Sequence, residues 1–243
     1  MNSIILPKFL LGILALIIVI AISLFLLIAL LTSPAPTSVS ALSVDLPVES
    51  IQIPMTENSL VQGWLSYGKP GKGVVLLVHS MRSNRVEMLS RARFLRDHGY
   101  TTLMIDLHAH GETPGEKITF GSRESENVSA AVKYLRKKFP QERIGALGAS
   151  LGGAAIVLAQ TDKPFDAVIL ESLHATLEEA INNRLKLHLG EYGSLLLPIV
   201  LFQFSFFIDT PVNELDPISR IGNLNAPVFF ISGTDDMHTT PSE

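Results

Sequence analysis

Gly148-Ala149-Ser150-Leu151-Gly152 is the segment of this chain best suited to covalent chemistry. It falls where the apolar run Ile144–Leu147 gives way to the helix-like stretch Leu151–Ala159. A serine with glycines two residues away on either side, at a strand-to-helix turn, has the pattern of a nucleophile elbow. The glycines let the backbone fold tightly enough to hold the serine in a strained conformation with its hydroxyl projecting from the sheet. The N–H that follows lies at the start of a helix, where it can stabilise an oxyanion. An ordinary strand–turn–helix is the competing reading. The buried-strand pattern before the serine and the helix pattern after it favour chemistry.

The elements that must position this serine alternate along the chain. Ser50–Ile53 and Leu60–Tyr67 read as an opening antiparallel pair. Gly73–His79 is a continuous apolar run of the length of a fully buried strand, and Thr101–Leu107 is the next. Arg143–Ala149, Ala167–Leu170 and Val228–Ser232 supply three more. Helices are expected over Asn84–His98, with Met88, Ala92 and Leu95 on one stripe, and over Ser122–Phe139 and Leu151–Ala159. The order predicts a mostly parallel sheet covered by helices on both faces. Leu173–Leu215 breaks the rhythm, and its centre, Leu195–Ile208, is apolar apart from Pro198, Gln203 and Ser205. It reads as an insert closing over the active site, in preference to a surface leaning on a membrane. It is too short and proline-broken for a second span, and it offers room for an acyl or other apolar substrate group.

The chain has 243 residues, enough for one catalytic domain and an appendage; 17% are charged and 47% hydrophobic. Phe9–Leu31 is an uncharged run broken only by Gly12 and Ser23. As a helix it covers about 35 Å, against a hydrocarbon core of about 30 Å. Signal peptides carry apolar cores of only about 7–15 residues, so an uncleaved anchor is expected, although Val39-Ser40-Ala41 resembles a small-residue cleavage site. The expected organisation is therefore a cytoplasmic N-terminus at 1–8, a transmembrane anchor at 9–31, a Ser/Thr/Pro/Ala linker at 32–43 and a catalytic domain at 44–243 with its insert at 173–215. Lys8 precedes the span and Asp45 is the first charge after it, which places the domain outside the cytoplasm. With no cysteine, disulfides, thiol chemistry and a lipidated-cysteine anchor are excluded. A net charge of −4 without any basic stripe argues against nucleic acid as a partner.

Taken together, these segments resemble the α/β-hydrolase superfamily from about Val44 to the C-terminus. His79-Ser80-Met81 stands where that family usually has His-Gly-x after the first central strand. Asp106-Leu107-His108-Ala109-His110-Gly111-Glu112 is similar to its D-x-R-x-H-G-E/D turn, and Gly233-Thr234-Asp235-Asp236 to the G-x-x-D turn bearing the triad acid. Ser80 in place of glycine and His108 in place of arginine are departures. The resemblance is closest to the broad group that includes serine aminopeptidase-like and acyl-ester-cleaving members. It implies Ser150 as nucleophile, backbone N–H groups of Leu151 and Met81 as oxyanion donors, and Asp236, in preference to Asp235, as the acid orienting a histidine. Ester, thioester and amide substrates all remain open. No metal or organic cofactor is implied, because no ligand set such as H-E-x-x-H occurs.

The catalytic histidine is the missing part. The family order is Ser…Asp…His, and the chain ends seven residues after Asp236. His238 is too near Asp236 for the usual arrangement. His79, His108 and His110 are expected to organise their turns by hydrogen bonds, His174 is a remote candidate base, and His98 and His188 have no catalytic argument. Two expectations follow: an incomplete copy of a longer enzyme lacking its last strand, histidine and final helix, or a shortened, inactive relative that binds a ligand or partner. The intact elbow and acid turn favour the first.

Overall fold

Alternating side chains explain the sheet from its centre outward. In a computed structural model describing residues 5–40, 45–56, 59–236 and 239, the chain opens with helix α1 (Ile5–Thr32), a two-residue strand β1 (Ala35–Pro36) and the pair β2 (Glu49–Thr56) and β3 (Ser59–Ser66). Strand β4 (Val74–Val78) follows. It sends Val74, Leu76 and Val78 into one core cluster and Val75 and Leu77 into the other, the period-2 placement of a strand buried on both faces.

Helix α2 (Leu89–Asp97), β5 (Thr101–Ile105), the short β6 (His110–Gly111) and α3 (Ser122–Lys138) come next, then β7 (Ile144–Ala149), α4 (Leu151–Leu158) and β8 (Ala167–Glu171). The insert supplies α5 (Leu177–Leu189) and α6 (Leu197–Phe204), and α7 (Pro217–Arg220) leads to β9 (Val228–Ile231). Among the described residues, seven strands form one sheet in the order β2-β3-β5-β4-β7-β8-β9. The two pairings that involve β3 are antiparallel, and the pairings from β5 through to β9 are all parallel.

Val128, Ala131, Val132 and Leu135 of α3 pack on one face of the sheet with Ala155 and Ile156 of α4. Met88, Leu89 and Ala92 cover the other with Trp64. The C-terminal ends of the parallel strands therefore meet in one crevice, the usual ligand position of an open α/β sheet.

Three local departures from the expected elements have physical causes. The helix expected from Asn84 begins as a 3₁₀ turn over Arg85–Met88, because the Asn84 side chain accepts from the Val86 N–H and tightens the start. Pro198 sits in the first turn of α6, where proline is tolerated, and starts that helix instead of breaking it. The stretch after α1 is not a free linker throughout: Ala35 and Pro36 pair in parallel with His110 and Gly111, and the Ala35 N–H donates to the Ala109 carbonyl at 2.8 Å.

Candidate active site

Ser150 joins β7 to α4 with φ 48° and ψ −112°, a backbone conformation that L-residues rarely adopt. Two close approaches force it. A Cβ on Gly148 would lie 2.6 Å from the Gly152 backbone, and one on Gly152 would lie 2.3 Å from the Val78 carbonyl oxygen. Only glycine at both positions lets α4 start directly against β4 and fold back over β7. The Ser150 N–H is held by the Glu171 carbonyl at 2.8 Å. Leu151 is the first residue of α4, so its N–H has no acceptor within the helix.

Met81 lies in a turn after β4, closed by the Ser83 N–H donating to the Ser80 carbonyl at 3.4 Å, with Arg82 at φ 57°. Ser80, the departure from the family's glycine, is put to use there. Its N–H and hydroxyl both donate to Glu87 Oε2, at 2.9 and 2.8 Å. The Arg82 N–H donates to His110 Nε2 at 2.9 Å.

The neighbouring histidines are fully engaged. His79 Nδ1 lies 2.7 Å from the Ser80 carbonyl, and its Nε2 accepts from the Leu107 N–H at 3.0 Å. A carbonyl can only accept and an N–H can only donate, which fixes the neutral Nδ1-protonated tautomer. His110 repeats the pattern, with Nδ1 2.8 Å from the His108 carbonyl and Nε2 taken by Arg82. Burial lowers His79 to about 4 and lowers His110 and His108 as well. Neither His79 nor His110 has a nitrogen left to receive a proton from Ser150.

His174 lines the same cavity as Ser150, with its Nε2 3.3 Å from a guanidinium nitrogen of Arg184. His188 also lines that cavity, while His98 is on the surface against Phe94. His238 lies outside the described residues.

Asp236 is in the turn following β9, two strands along the sheet from Ser150. Its N–H donates to the Gly233 carbonyl at 3.1 Å, and its Oδ1 accepts from the Thr239 N–H at 3.1 Å. It is half-buried and Asp235 is exposed. Of the four site residues expected from sequence, Ser150, Leu151 and Met81 line one cavity of about 580 Å³, and Asp236 is not part of that lining. Leu24, Leu27, Ile28 and Leu31 of α1 form another part of the wall, with Leu177, Ala180, Ile181 and Leu185 of α5. Among the described residues no group of three His, Asp or Glu is placed to hold a metal ion.

Sequence reasoning missed Arg85. Its guanidinium is buried, pairs with Asp106 and Glu112, and lies 4.6 Å from the Trp64 ring centroid. Asp106 also accepts from the Arg85 and Glu112 N–H groups. Burial raises the Asp106 carboxyl, against those N–H groups and the guanidinium, and the Arg85 contact lowers Glu112. The network ties the turn after β4 to the turn after β5. Glu124 was also missed: it accepts from the Thr119 and Gly121 N–H groups and shapes the loop that puts Phe120 into the cavity wall.

The family model of serine aminopeptidase, S33, matches residues 69–198, which include the elbow, the Met81 turn and the start of the insert. The chain belongs to this family. Its fold is that of the α/β hydrolases. Solved structures of the same fold include an esterase from Pyrococcus furiosus, 22% identical, covering 87% of this chain and 81% of that one at TM-score 0.65. Acylaminoacyl peptidase from Pyrococcus horikoshii is 17% identical over 81% of this chain and 33% of its own, at TM-score 0.58. A thioesterase domain from the curacin biosynthetic pathway is 14% identical over 81% and 86%, at TM-score 0.56. Among curated proteins, Bacillus subtilis YqkD is 25% identical over 166 residues, 67% of this chain and 54% of YqkD. The S33-family chain thus spans about half the length of that relative.

Proposed function

We propose that this protein is a membrane-anchored serine hydrolase that cleaves an ester, thioester or amide through an acyl-enzyme. The observation that carries the reading is Ser150, strained at φ 48° on the elbow and lining a cavity with Leu151 and Met81. Its Oγ attacks the carbonyl carbon while its proton passes to a base, and the oxyanion receives the Leu151 and Met81 N–H groups. Collapse expels an alcohol, thiol or amine and leaves the acyl group on Ser150, and water then releases it. The base is a histidine that Asp236 orients, and it is neither His79 nor His110. The occupied nitrogens of His79 and His110 support this assignment. The relatives that are an esterase, a thioesterase and a peptidase share this acyl chemistry and leave the leaving group open.

Helix α1, whose segment Phe9–Thr32 is long and apolar enough to cross a membrane, is the anchor, with the N-terminus cytoplasmic and the catalytic domain on the other side. A fluorophosphonate probe tests the chemistry. Labelling is expected and is abolished by Ser150→Ala. Labelling that survives Ser150→Ala overturns the nucleophile, and its absence from the native chain favours a ligand-binding relative.

A further inference from the structure

The cavity beside Ser150 is walled on one side by the same helix that the proposed function puts in the bilayer. Leu24, Leu27, Ile28 and Leu31 recur at three- and four-residue spacing, so one face of α1 supplies all four. Helix α6 lies against α1 at this level. Gln203 Nε2 donates to the Ala21 carbonyl at 3.0 Å, and the rings of Phe25 and Phe207 are 4.7 Å apart. On its other side, α6 and the turns that flank it expose Leu195, Ile199, Phe202 and Phe206 at 74%, 40%, 67% and 61%. Their spacing is that of one helical stripe. No charged residue occurs from Tyr192 to Ile208.

Helix length decides what this stripe faces. Residues 9–23 of α1, the part clear of the cavity, rise only about 22 Å at 1.5 Å per residue. A hydrocarbon core is about 30 Å thick. The remaining ~8 Å of core is crossed by the turns Leu24–Leu31 that wall the cavity, which places the exposed α6 stripe in lipid beside them. The insert is then both a cover for the site and a surface in the membrane.

We infer that the cavity takes the acyl chain of a long-chain ester resident in the bilayer, which reaches Ser150 laterally between α1 and the α5–α6 insert without leaving lipid. The chemistry of this inference rests on the serine-hydrolase reading. The volume of about 580 Å³ falls within the range of ligand pockets, about 300–1,000 Å³. The lining is apolar apart from a small set, Ser150, His174, Thr176, Arg184 and His188, which leaves the polar end of an ester few places to go.

The full chain, reconstituted in phosphatidylcholine vesicles, is photolabelled with a palmitoyl glycerol carrying a diazirine on its acyl chain. Adducts are expected on residues 173–189 as well as on α1, displaced by unlabelled palmitoyl glycerol and not by butyryl glycerol. Adducts confined to the lipid-exposed stretch Phe9–Ile20 overturn the inference. The cavity-filling Ala180→Trp, with native circular dichroism, loses about tenfold of the adduct on 173–189. A second measurement does not depend on that variant folding. The natural Trp64 is buried at 1% exposure, so added tryptophans report alone on lipid. Phe202→Trp is quenched by brominated phosphatidylcholine, whereas Phe94→Trp on α2 is not, and equal quenching of the two sinks the membrane face. Photolabelling needs no turnover. A failed fluorophosphonate reaction at Ser150 therefore removes the hydrolase reading and leaves the adduct pattern readable, and the reverse holds too.

Discussion

His79 spends its hydrogen-bonding capacity on the Ser80 carbonyl and the Leu107 N–H, and that has a consequence for acid stability. Its folded pKa of about 4 is below the ordinary 6.5 because burial disfavours the charged ring. The unfolded chain binds this proton at higher pH than the folded chain does. Stability is therefore intact above about pH 6.5 and falls as the pH drops toward 4, by roughly 3 kcal/mol at about 1.36 kcal/mol per pKa unit. In urea unfolding across pH 7 to 4, His79→Gln is expected to be less stable at pH 7 but to lose about one proton of acid slope; an unchanged slope contradicts the assignment. At this scale the sequence was readable where a short motif fixes geometry. Gly148, Ser150 and Gly152 announce the elbow because each residue type is demanded locally. Arg85 was not readable, since an arginine inside a helical pattern is ordinarily a solvated side chain, and only the fold brings Asp106, Glu112 and Trp64 around it.

The elements were legible to the extent that burial writes a period into the sequence. Strands β4 and β7 are continuous runs without polar side chains because helices cover both of their faces. The two residues of β1 carry no such signal in a Ser/Thr/Pro/Ala stretch, and their pairing with β6 depends on a turn more than seventy residues away. Helix α1 hides its contacts for the opposite reason. Its sequence is apolar all round, so nothing distinguishes Ile28, buried at 2%, from Leu26, exposed at 63%. The contact between α4 and β4 can be tested alone. Gly152→Ala puts a methyl 2.3 Å from the Val78 carbonyl, so the helix must shift. A loss of about 1–3 kcal/mol is expected from such overpacking, together with loss of probe labelling at Ser150. A variant with native stability in urea contradicts the forced approach.

Across the whole molecule, α1 and the sheet domain share structure where the sequence predicted an extended linker. Gln203 holds the Ala21 carbonyl, the Arg82 guanidinium caps the end of α1 at the Leu30 and Ser33 carbonyls, and the Ile118 N–H donates to the Thr32 carbonyl at 2.8 Å. The bonds to the Leu30 and Thr32 carbonyls satisfy groups that a helix C-terminus otherwise leaves unpaired. Arg82, the residue next to Met81, donates to both the Leu30 and Ser33 carbonyls, so the helix end and the proposed oxyanion turn are tied together. Ile28 completes a cluster with Ile181, Val200 and Phe204, so separating α1 from the domain would open apolar surface on both sides. A tether and a docked helix differ in a measurable distance. Because the chain has no cysteine, Ser23→Cys and Glu178→Cys can carry spin labels on an otherwise native background. Both sites are exposed, one on α1 and one on α5. In vesicles, double electron–electron resonance is expected to give one narrow distance distribution, and adding Gln203→Leu with Arg82→Ala should broaden it. A broad distribution in the native background would mean that the helix swings free of the domain. The cavity wall formed by Leu24, Leu27, Ile28 and Leu31 would then be lost, and lateral entry of a lipid ester with it.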